Sequence, residues 1–376
     1  MTAASSAASL LDPFPWYARM RRQAPVVQDP DSGMWMVFGY PDVQRVLSDW
    51  RVFSSQQGRP RGEDAESALS SSMISTDPPR HRQLRTLVEQ AFTPRQVREL
   101  APRIGQLTHE LLDQVQAGRL DFVHDFAYPL PVIVIAEILG IPAQDRDRFK
   151  RWSDQVVTGD RSGSREMAGY FATLIEQRRA DPGPDLISGL LAAQLEGEHL
   201  NTQELLGFCI LLLVAGNETT TNLLTNTVLC WQDAPEAYQR VRQDPELLSG
   251  TIEESLRYRS PVQSMFRTCV QDVELSGVTI PAGRPVLAWI GSANRDEQQF
   301  EQADTFDPAR TPNRHLAFGN GIHFCLGAPL ARLEASIALG AVLERLPELR
   351  VEPGTVLEPI ESRIVAGVKR LPVQFG

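Results

Sequence analysis

The stretch FGNGIHFCLG, residues 318–327, is the most informative part of the sequence. Its three glycines permit a tight, irregular backbone and allow a flat ligand to approach closely. The residues that follow, from Ala328 to Leu346, have the pattern of a long helix, so Cys325 comes just before a helix N-terminus. Free amide donors and the helix dipole at that end favour thiolate over thiol, and thiolate is the form that binds iron.

The ordinary role of a lone cysteine is that of a small buried apolar side chain. The glycine-rich loop around Cys325 argues against that alternative. The other three cysteines (Cys209, Cys230, Cys269) are unevenly spaced and form no CxxC pair. We therefore predict free thiols and a reducing, cytoplasmic compartment.

The composition excludes several classes of protein. The chain has 376 residues, of which 42% are hydrophobic. Its N-terminus lacks a basic segment followed by an apolar one, and its longest apolar run, 205–215, is far shorter than the roughly 18 residues of a membrane span. The net charge of −10 would repel nucleic-acid phosphates. No membrane or nucleic-acid partner is predicted.

Helix patterns dominate residues 79–260, with prolines at their starts and glycines at their ends. Strand patterns are shorter and fewer, and residues 363–375 could add a hairpin. The polar stretches 54–72 and 158–164 are predicted to be mobile loops rather than linkers. The sequence thus predicts a mainly α fold with minor β-sheets, organised as one domain over residues 1–376. The helices are predicted at 79–92, 94–116, 131–139, 167–179, 186–195, 202–232, 247–259 and 328–346, and the strands at 34–38, 273–275, 278–280 and 286–290.

The cysteine stretch, followed by Ala331 and Arg332, fills every position of the pattern FGxGxHxCxG. In this the chain resembles the cytochrome P450 family, and specifically its soluble bacterial branch, over nearly its whole length. The resemblance implies a triangular prism of helices, with haem b between a long distal helix and the helix after the cysteine loop. It makes Cys325 the axial thiolate ligand of the haem iron. Around that ligand, Phe318, Gly319 and Gly327 would contact the cofactor.

The predicted helix 202–232 contains AGNETTT at 215–221. Three threonines beside a helix-interior glycine oppose helix propensity, and such local conflicts are often functional. Gly216 would leave room for a ligand, and a threonine hydroxyl could open the helix by bonding a carbonyl one turn back. A solvated Glu218 at a polar kink is the alternative. By resemblance, Ala215 and Gly216 face the haem, and Glu218 and Thr219 form the acid–alcohol pair that relays protons for dioxygen activation.

Two further groups of side chains are ambiguous from the residues alone. His81 and Arg85, four apart on the apolar side of a helix, are either an ordinary boundary pair or a pair that binds a buried anion. By resemblance they bind the haem propionates, together with Arg267 and His323.

Glu254 and Arg257 have the i, i+3 spacing of an ordinary surface pair. By resemblance they are instead joined to Arg310 and support the cysteine loop structurally. The remaining histidines have no metal-ligand spacing, and we predict surface or loop positions for them (His109, His124, His199, His315).

The substrate pocket rests on resemblance only. The segments 54–74 and 156–168 would face it, with apolar contacts that suit a lipid, steroid, terpenoid or macrolide. The predicted contact residues are Met73, Ile74, Val214, Val262 and Met265.

The resulting hypothesis is a haem-thiolate monooxygenase that inserts one oxygen atom from O2 into a hydrophobic small molecule. By resemblance, its electrons come from a ferredoxin or flavodoxin with an NAD(P)H reductase. That acidic partner would bind a patch formed by Arg80, Arg82, Arg314 and Arg332. A peroxide-driven peroxygenase and a non-enzymatic haem sensor are alternatives, although an intact Glu218–Thr219 pair argues against the peroxygenase.

Overall fold

The computed structural model describes residues 10–56, 72–115, 118–145, 148–149, 151–152, 155 and 161–376. Most of the predicted loop at 54–72 and the first part of the one at 158–164 lie outside this part of the chain.

Helices make up most of the described chain, and prolines stand in the first turn of many of them. The six residues 122–127 form a π-helical turn, which is wider than a turn of α-helix. The helices are α1 (Phe14–Gln23), α2 (Tyr40–Ser48), α3 (Arg80–Ala91), α4 (Pro94–Glu99), α5 (Ala101–Asp113), α6 (Pro129–Ile138), α7 (Arg161–Ala180), α8 (Leu186–Ala192), α9 (Thr202–Asp233), α10 (Pro235–Gln243), α11 (Leu247–Tyr258), α12 (Ile290–Ala293) and α13 (Ala328–Arg345).

Within the described part of the chain, short strands form three small sheets. The largest has the order β1-β2-β8-β5-β3, antiparallel except where β2 pairs with β8. The others are β4-β10-β9 and the β6-β7 hairpin. The predicted mainly α fold with minor sheets is confirmed. The strands are β1 (Val26–Gln28), β2 (Trp35–Val37), β3 (Phe53–Ser54), β4 (Arg119–Asp121), β5 (Met265–Cys269), β6 (Val273–Leu275), β7 (Val278–Ile280), β8 (Pro285–Ala288), β9 (Arg350–Val351) and β10 (Pro372–Gln374).

Three predictions differ from the structure. Residues 161–164, expected in a mobile loop, form the first turn of α7. The single helix expected over 94–116 is divided into α4 and α5. Pro102, in the first turn of α5, cannot donate a backbone hydrogen bond, so α4 ends just before it. The hairpin expected over 363–375 is a single strand, β10, which pairs with β4 and β9 from other parts of the chain.

The chain divides into two compact units, which are described separately. Unit one comprises Met1–Ser54, Gly105–Ala127 and Thr219–Gly376. All three sheets lie in it. Its core packs apolar residues of the largest sheet against α2. An aromatic group of Trp16, Tyr17, Phe38 and Trp289 packs with side chains of β1, β2, β5 and β8 of the same sheet.

Unit two comprises Ser55–Ile104 and Tyr128–Glu218, and the described part of it is built from helices. α8 packs against both α3 and α7. A Cβ on Gly189 would lie 3.4 Å from the Cβ of Ala91, so the glycine allows α8 and α3 to approach closely. The prediction of a single domain over 1–376 remains a prediction.

Three further observations concern the chain's chemistry. All four cysteines are free. None of the helices in the described ranges has both the length and the apolar character needed to cross a membrane. In α13, the Glu334 side chain is buried, and one of its oxygens has no hydrogen-bond partner among the described residues; burial raises its pKa to about 8.

Candidate functional site

The cysteine loop, residues 318–327, requires glycine at two positions. Gly319 and Gly321 have φ of +74° and +72°, in the left-handed region that side chains disfavour. A Cβ on Gly321 would also lie only 2.7 Å from the Cα of Ser48. The backbone N–H of Cys325 donates to the carbonyl of Phe318 at 2.9 Å and closes the loop.

Cys325 lies three residues before the first residue of α13 and its side chain is half-buried. Arg332, one turn into α13, places a positive charge near it. The pKa of Arg332 is raised by its hydrogen bond to Glu253 and, to a smaller extent, by the charge of Cys325. A reachable sulfur at a helix N-terminus, with a cation nearby and glycines leaving space around it, fits a thiolate-ligated haem.

A carboxylate that the sequence analysis missed lies beside this loop. Glu253 of α11 accepts hydrogen bonds from Nε and Nη2 of Arg332, at 2.6 and 2.8 Å. Nε2 of His315 lies 3.0 Å from the same carboxylate. Burial alone would raise the pKa of Glu253, but the bonds from Arg332 and His315 lower it to about 2.

His315 lies in a loop, as predicted, but its side chain is only 4% exposed. The loop packs the His315 side chain against α11, where its Nε2 binds the Glu253 carboxylate instead of water. No local sequence pattern signals this contact, because the two residues are 62 positions apart.

The structure brings together the three residues of the predicted supporting cluster. Arg257 donates to both oxygens of Glu254, each at 2.8 Å, and neither side chain has any exposed surface. Arg310 Nε donates to the same carboxylate at 3.0 and 3.1 Å. The amide N–H of Asp307 and the side chain of Asn313 complete its shell. This pair is therefore fully buried, unlike an ordinary surface pair.

The AGNETTT segment lies in α9, which is continuous from 202 to 233, so the expected opening of the helix is absent. Threonine hydroxyls do bond carbonyls one turn back, as Thr225 does to Thr221 at 2.7 Å, without breaking the helix. The space left by Gly216 is also filled: a Cβ there would lie 2.6 Å from Cδ1 of Ile135. Helix packing within unit two therefore explains this glycine.

One face of α9 is nevertheless open. Ala215 is exposed although much of the helix around it is buried, and Glu218 and Thr219 are partly exposed. Burial raises the pKa of Glu218. An acid and an alcohol therefore stand one turn from an accessible alanine, on an otherwise largely apolar helix.

The four predicted propionate ligands fall into different units. In unit two, His81 is buried in α3, where burial and the charge of Arg85 lower its pKa. Arg85 donates to Glu89 at 2.8 Å. In unit one, Arg267 is buried on β5 and donates to the carbonyl of Phe266, while His323 is half-buried in a short 3₁₀ turn.

The predicted substrate contacts are similarly distributed. Met73 and Ile74 form a short 3₁₀ turn in unit two, where Ile74 is exposed. Val214 is half-buried beside Ala215. Val262 and Met265 are half-buried against the core of unit one. Residues 57–71 and 156–160 of the two predicted pocket segments lie outside the described chain.

Two of the four arginines of the predicted docking patch already have acidic partners. Arg80 forms a bidentate pair with Glu204, and Arg332 is bound to Glu253. Arg82 and Arg314 are exposed. The positive charge available to an acidic partner is thus smaller than the sequence indicates.

Comparison with known proteins agrees with this arrangement. The family model described as Cytochrome P450 matches residues 163–375. A putative cytochrome P450, YjiB, of Bacillus subtilis is 43% identical over 379 residues, covering 96% of this chain and 94% of the relative. A mycinamicin IV hydroxylase/epoxidase of Micromonospora griseorubida is 42% identical, covering 95% of this chain and 94% of the relative.

Among solved structures, the crystal structure of CYP109E1 from Bacillus megaterium in complex with testosterone superposes with a TM-score of 0.93. The two chains are 43% identical, and the match covers 99% of this chain and 100% of the other.

Proposed function

The chain belongs to the cytochrome P450 family of haem-binding monooxygenases, and on that premise we propose that it inserts one atom of O2 into a lipid, steroid, terpenoid or macrolide. When bound, the haem, proposed to be haem b, supplies the redox-active iron at which dioxygen is activated.

The observation that carries the substrate proposal is the open face of α9. Leu211 and Leu212 are half-exposed one turn before the exposed Ala215, and Glu218 and Thr219 follow one turn later. A mainly apolar surface with a few polar groups is typical of small-molecule sites. The testosterone complex of one relative and the mycinamicin hydroxylase name of another support a steroid- or macrolide-sized molecule.

The proposed haem contacts are assigned from the charge and the position of the side chains. We assign Cys325 as the iron ligand, because its position before α13 favours the thiolate. Phe318, Gly319 and Gly327 shape the loop around it, and Ala215 leaves α9 open. Guanidinium and imidazole groups form charge-assisted hydrogen bonds with carboxylates, so two arginines and two histidines suit the two carboxylates of a haem. The proposed propionate ligands are His81, Arg85, Arg267 and His323.

Glu218 and Thr219 are the proposed proton carriers. Burial favours the neutral acid of Glu218, so it can hold a proton. The hydroxyl of Thr219, the next residue of the helix, can both accept and donate a hydrogen bond. Together with water they can pass a proton from solvent to the open face of α9.

Electrons are proposed to come from a ferredoxin or flavodoxin with its NAD(P)H reductase. The exposed charges of Arg82 and Arg314 support an acidic partner, because at about 0.15 M salt charges interact over roughly 8 Å and the net charge of −10 is largely screened. The four free thiols support a cytoplasmic location.

The decisive experiment screens steroids and macrolides for the spin-state shift of the haem absorbance, then measures product with NADPH, reductase and ferredoxin. We expect product that depends on NADPH and contains oxygen from O2. Product formed only with hydrogen peroxide would make the protein a peroxygenase. A spin shift without any product would make it a binding or sensor protein.

The role of Thr219 has its own test. Thr219→Ala is expected to retain haem and the spin shift but to form less product per NADPH, with the electrons appearing as hydrogen peroxide. Thr220→Ala is the matched control, because Thr220 is the next residue and is buried. Equal coupling in both variants would remove Thr219 from the proton path.

A further inference from the structure

Glu253 contacts residues on both sides of the cysteine loop. His315 precedes residues 318–327 and Arg332 follows them, and the carboxylate binds both. The Arg332 guanidinium also lies over the ring of Phe318, 4.5 Å from its centroid. Phe318 in turn accepts the backbone hydrogen bond of Cys325. One carboxylate thus connects the start and the end of the loop that carries the proposed iron ligand.

The hydrogen bonds around His315 define its tautomer. Its Nδ1 lies 3.3 Å from the backbone N–H of Ala317, which can only donate. Nδ1 is therefore the acceptor, and Nε2 carries the proton that is donated to Glu253. The carboxylate accordingly receives three N–H groups, two from Arg332 and one from His315. Such a set is geometrically restrictive, because the bidentate arginine fixes orientation as well as distance.

We propose that Glu253 is a positioning residue for the iron ligand: through His315 and Arg332 it holds both ends of the cysteine loop and keeps the Arg332 charge beside the Cys325 sulfur. The proposal rests on the assignment of Cys325 as that ligand. Glu253 has no proposed contact with substrate or haem.

Two consequences separate this role from a general contribution to folding. The first is electrostatic. Reduction adds an electron, and a nearby positive charge favours the reduced state whereas a negative charge opposes it. Glu253→Gln leaves the Arg332 charge uncompensated and is expected to raise the reduction potential of the haem. Arg332→Gln leaves the Glu253 charge uncompensated and is expected to lower it.

The second consequence is mechanical. Either substitution loosens the loop, so the thiolate-type spectrum of the reduced, carbon monoxide-bound protein should decay about tenfold faster in mild urea, as expected for loss of a charge-assisted pair. The double variant Glu253→Gln/Arg332→Gln should return to a near-normal potential while still decaying fast. His315→Gln, which retains a donor near Nε2, should decay more slowly than His315→Leu.

The experiment uses haem-loaded wild type and these variants, with Asp113→Asn as control. Asp113 pairs with Arg345 on α13, away from the loop, at 2.7 Å. The control should match wild type in both potential and decay rate. Opposite potential shifts with faster decay support the proposal. Unchanged potentials, or shifts of the same sign in Glu253→Gln and Arg332→Gln, overturn it.

A wrong assignment of Cys325 as the iron ligand would give a different experimental result. If wild type itself lacks the red-shifted thiolate Soret band, Cys325 is not the ligand, whatever the variants do. If Glu253→Gln does not fold with haem, the pair His315→Gln and His315→Leu decides the question: equal decay rates overturn the proposal.

Discussion

Glu253 and Glu254 are consecutive residues of one helix, yet they serve two different regions of the molecule. Glu254 is fully buried and is bound by Arg257 and Arg310. Glu253 keeps 27% of its side-chain surface exposed and is bound by Arg332 and His315. Successive residues of a helix point about 100° apart, so one step along the chain changes the surroundings completely.

The difference shows how burial changes what an ion pair does. A fully buried pair stabilises little against a hydrophobic alternative, but it becomes very costly when one partner is lost. A half-exposed pair is screened by water and contributes less, yet it can still fix orientation. We therefore expect the Glu254 cluster to determine whether the protein folds, and the Glu253 contacts to adjust a site within the folded protein.

The largest effect is expected for Arg257→Ala. The remaining buried Glu254 would lose its closest partner, and such losses cost about 3–5 kcal/mol. Arg257 also donates to three backbone carbonyls, which would be left unpaired (those of Asn294, Ala303 and Thr305). Thermal unfolding and haem content after purification measure the result. A normal unfolding temperature and a normal haem content would show that the fully buried Glu254 cluster is no more important for folding than the half-exposed Glu253 contacts.

Gly250→Ala is the next most severe change. A Cβ at Gly250 of α11 would overlap the carbonyl oxygen of Pro308, close to Arg310. We expect a loss of about 1–3 kcal/mol, because backbone must move to admit the methyl group. Gly340→Ala is the control, since its Cβ would meet only Leu248 at 3.6 Å. Urea unfolding should show a loss in the first variant and none in the second.

Glu253→Gln is expected to have a smaller effect on stability, about 1–2 kcal/mol at neutral pH. The pKa of Glu253 is lowered from 4.5 to about 2 in the folded protein. Its contribution is therefore complete above about pH 4.5 and is lost as the pH falls toward 2. Unfolding free energies across this range should fall less steeply in the variant. If the unfolding free energies of wild type and Glu253→Gln changed in parallel with pH, Arg332 and His315 would not be the groups that lower the pKa of Glu253.

The smallest effect is expected at Glu99, which pairs with Arg95 on the surface of unit two. Both side chains are mostly exposed, so Glu99→Gln should leave the midpoint of thermal unfolding unchanged. A clear decrease in the midpoint of Glu99→Gln would mean that the burial of a side chain does not predict the size of the other three effects.

The residues alone predicted the cysteine loop and α9, because each has a pattern with fixed local spacing. The Glu254 cluster was predicted only through the resemblance to the cytochrome P450 family, since Arg310 lies 56 positions after Glu254. Prediction from the residues failed where the deciding contact is distant in sequence. His315 lies 62 positions after Glu253, a separation that leaves no local periodicity to detect. Likewise, the sequence could not show that Gly216 accommodates Ile135, because that contact joins separate helices.

Missed helices have a different explanation. α1, α2 and α10 are short and begin with a proline in the first turn, a signal that was present but weak without a long apolar pattern. β10 was predicted as part of a hairpin because adjacent strands usually pair. Its partners β4 and β9 consist of three and two residues, too few to show alternation.

The buried carboxyl of Glu334 offers an intrinsic vibrational probe. With a pKa of about 8 it is protonated at neutral pH, whereas exposed carboxyls are ionised. A protonated carboxyl has a carbonyl stretching band distinct from those of carboxylates and amides. Infrared difference spectra of wild type and Glu334→Gln should therefore isolate one band from α13, the helix that follows the cysteine loop. Its frequency would report hydrogen bonding at that point of the helix during turnover.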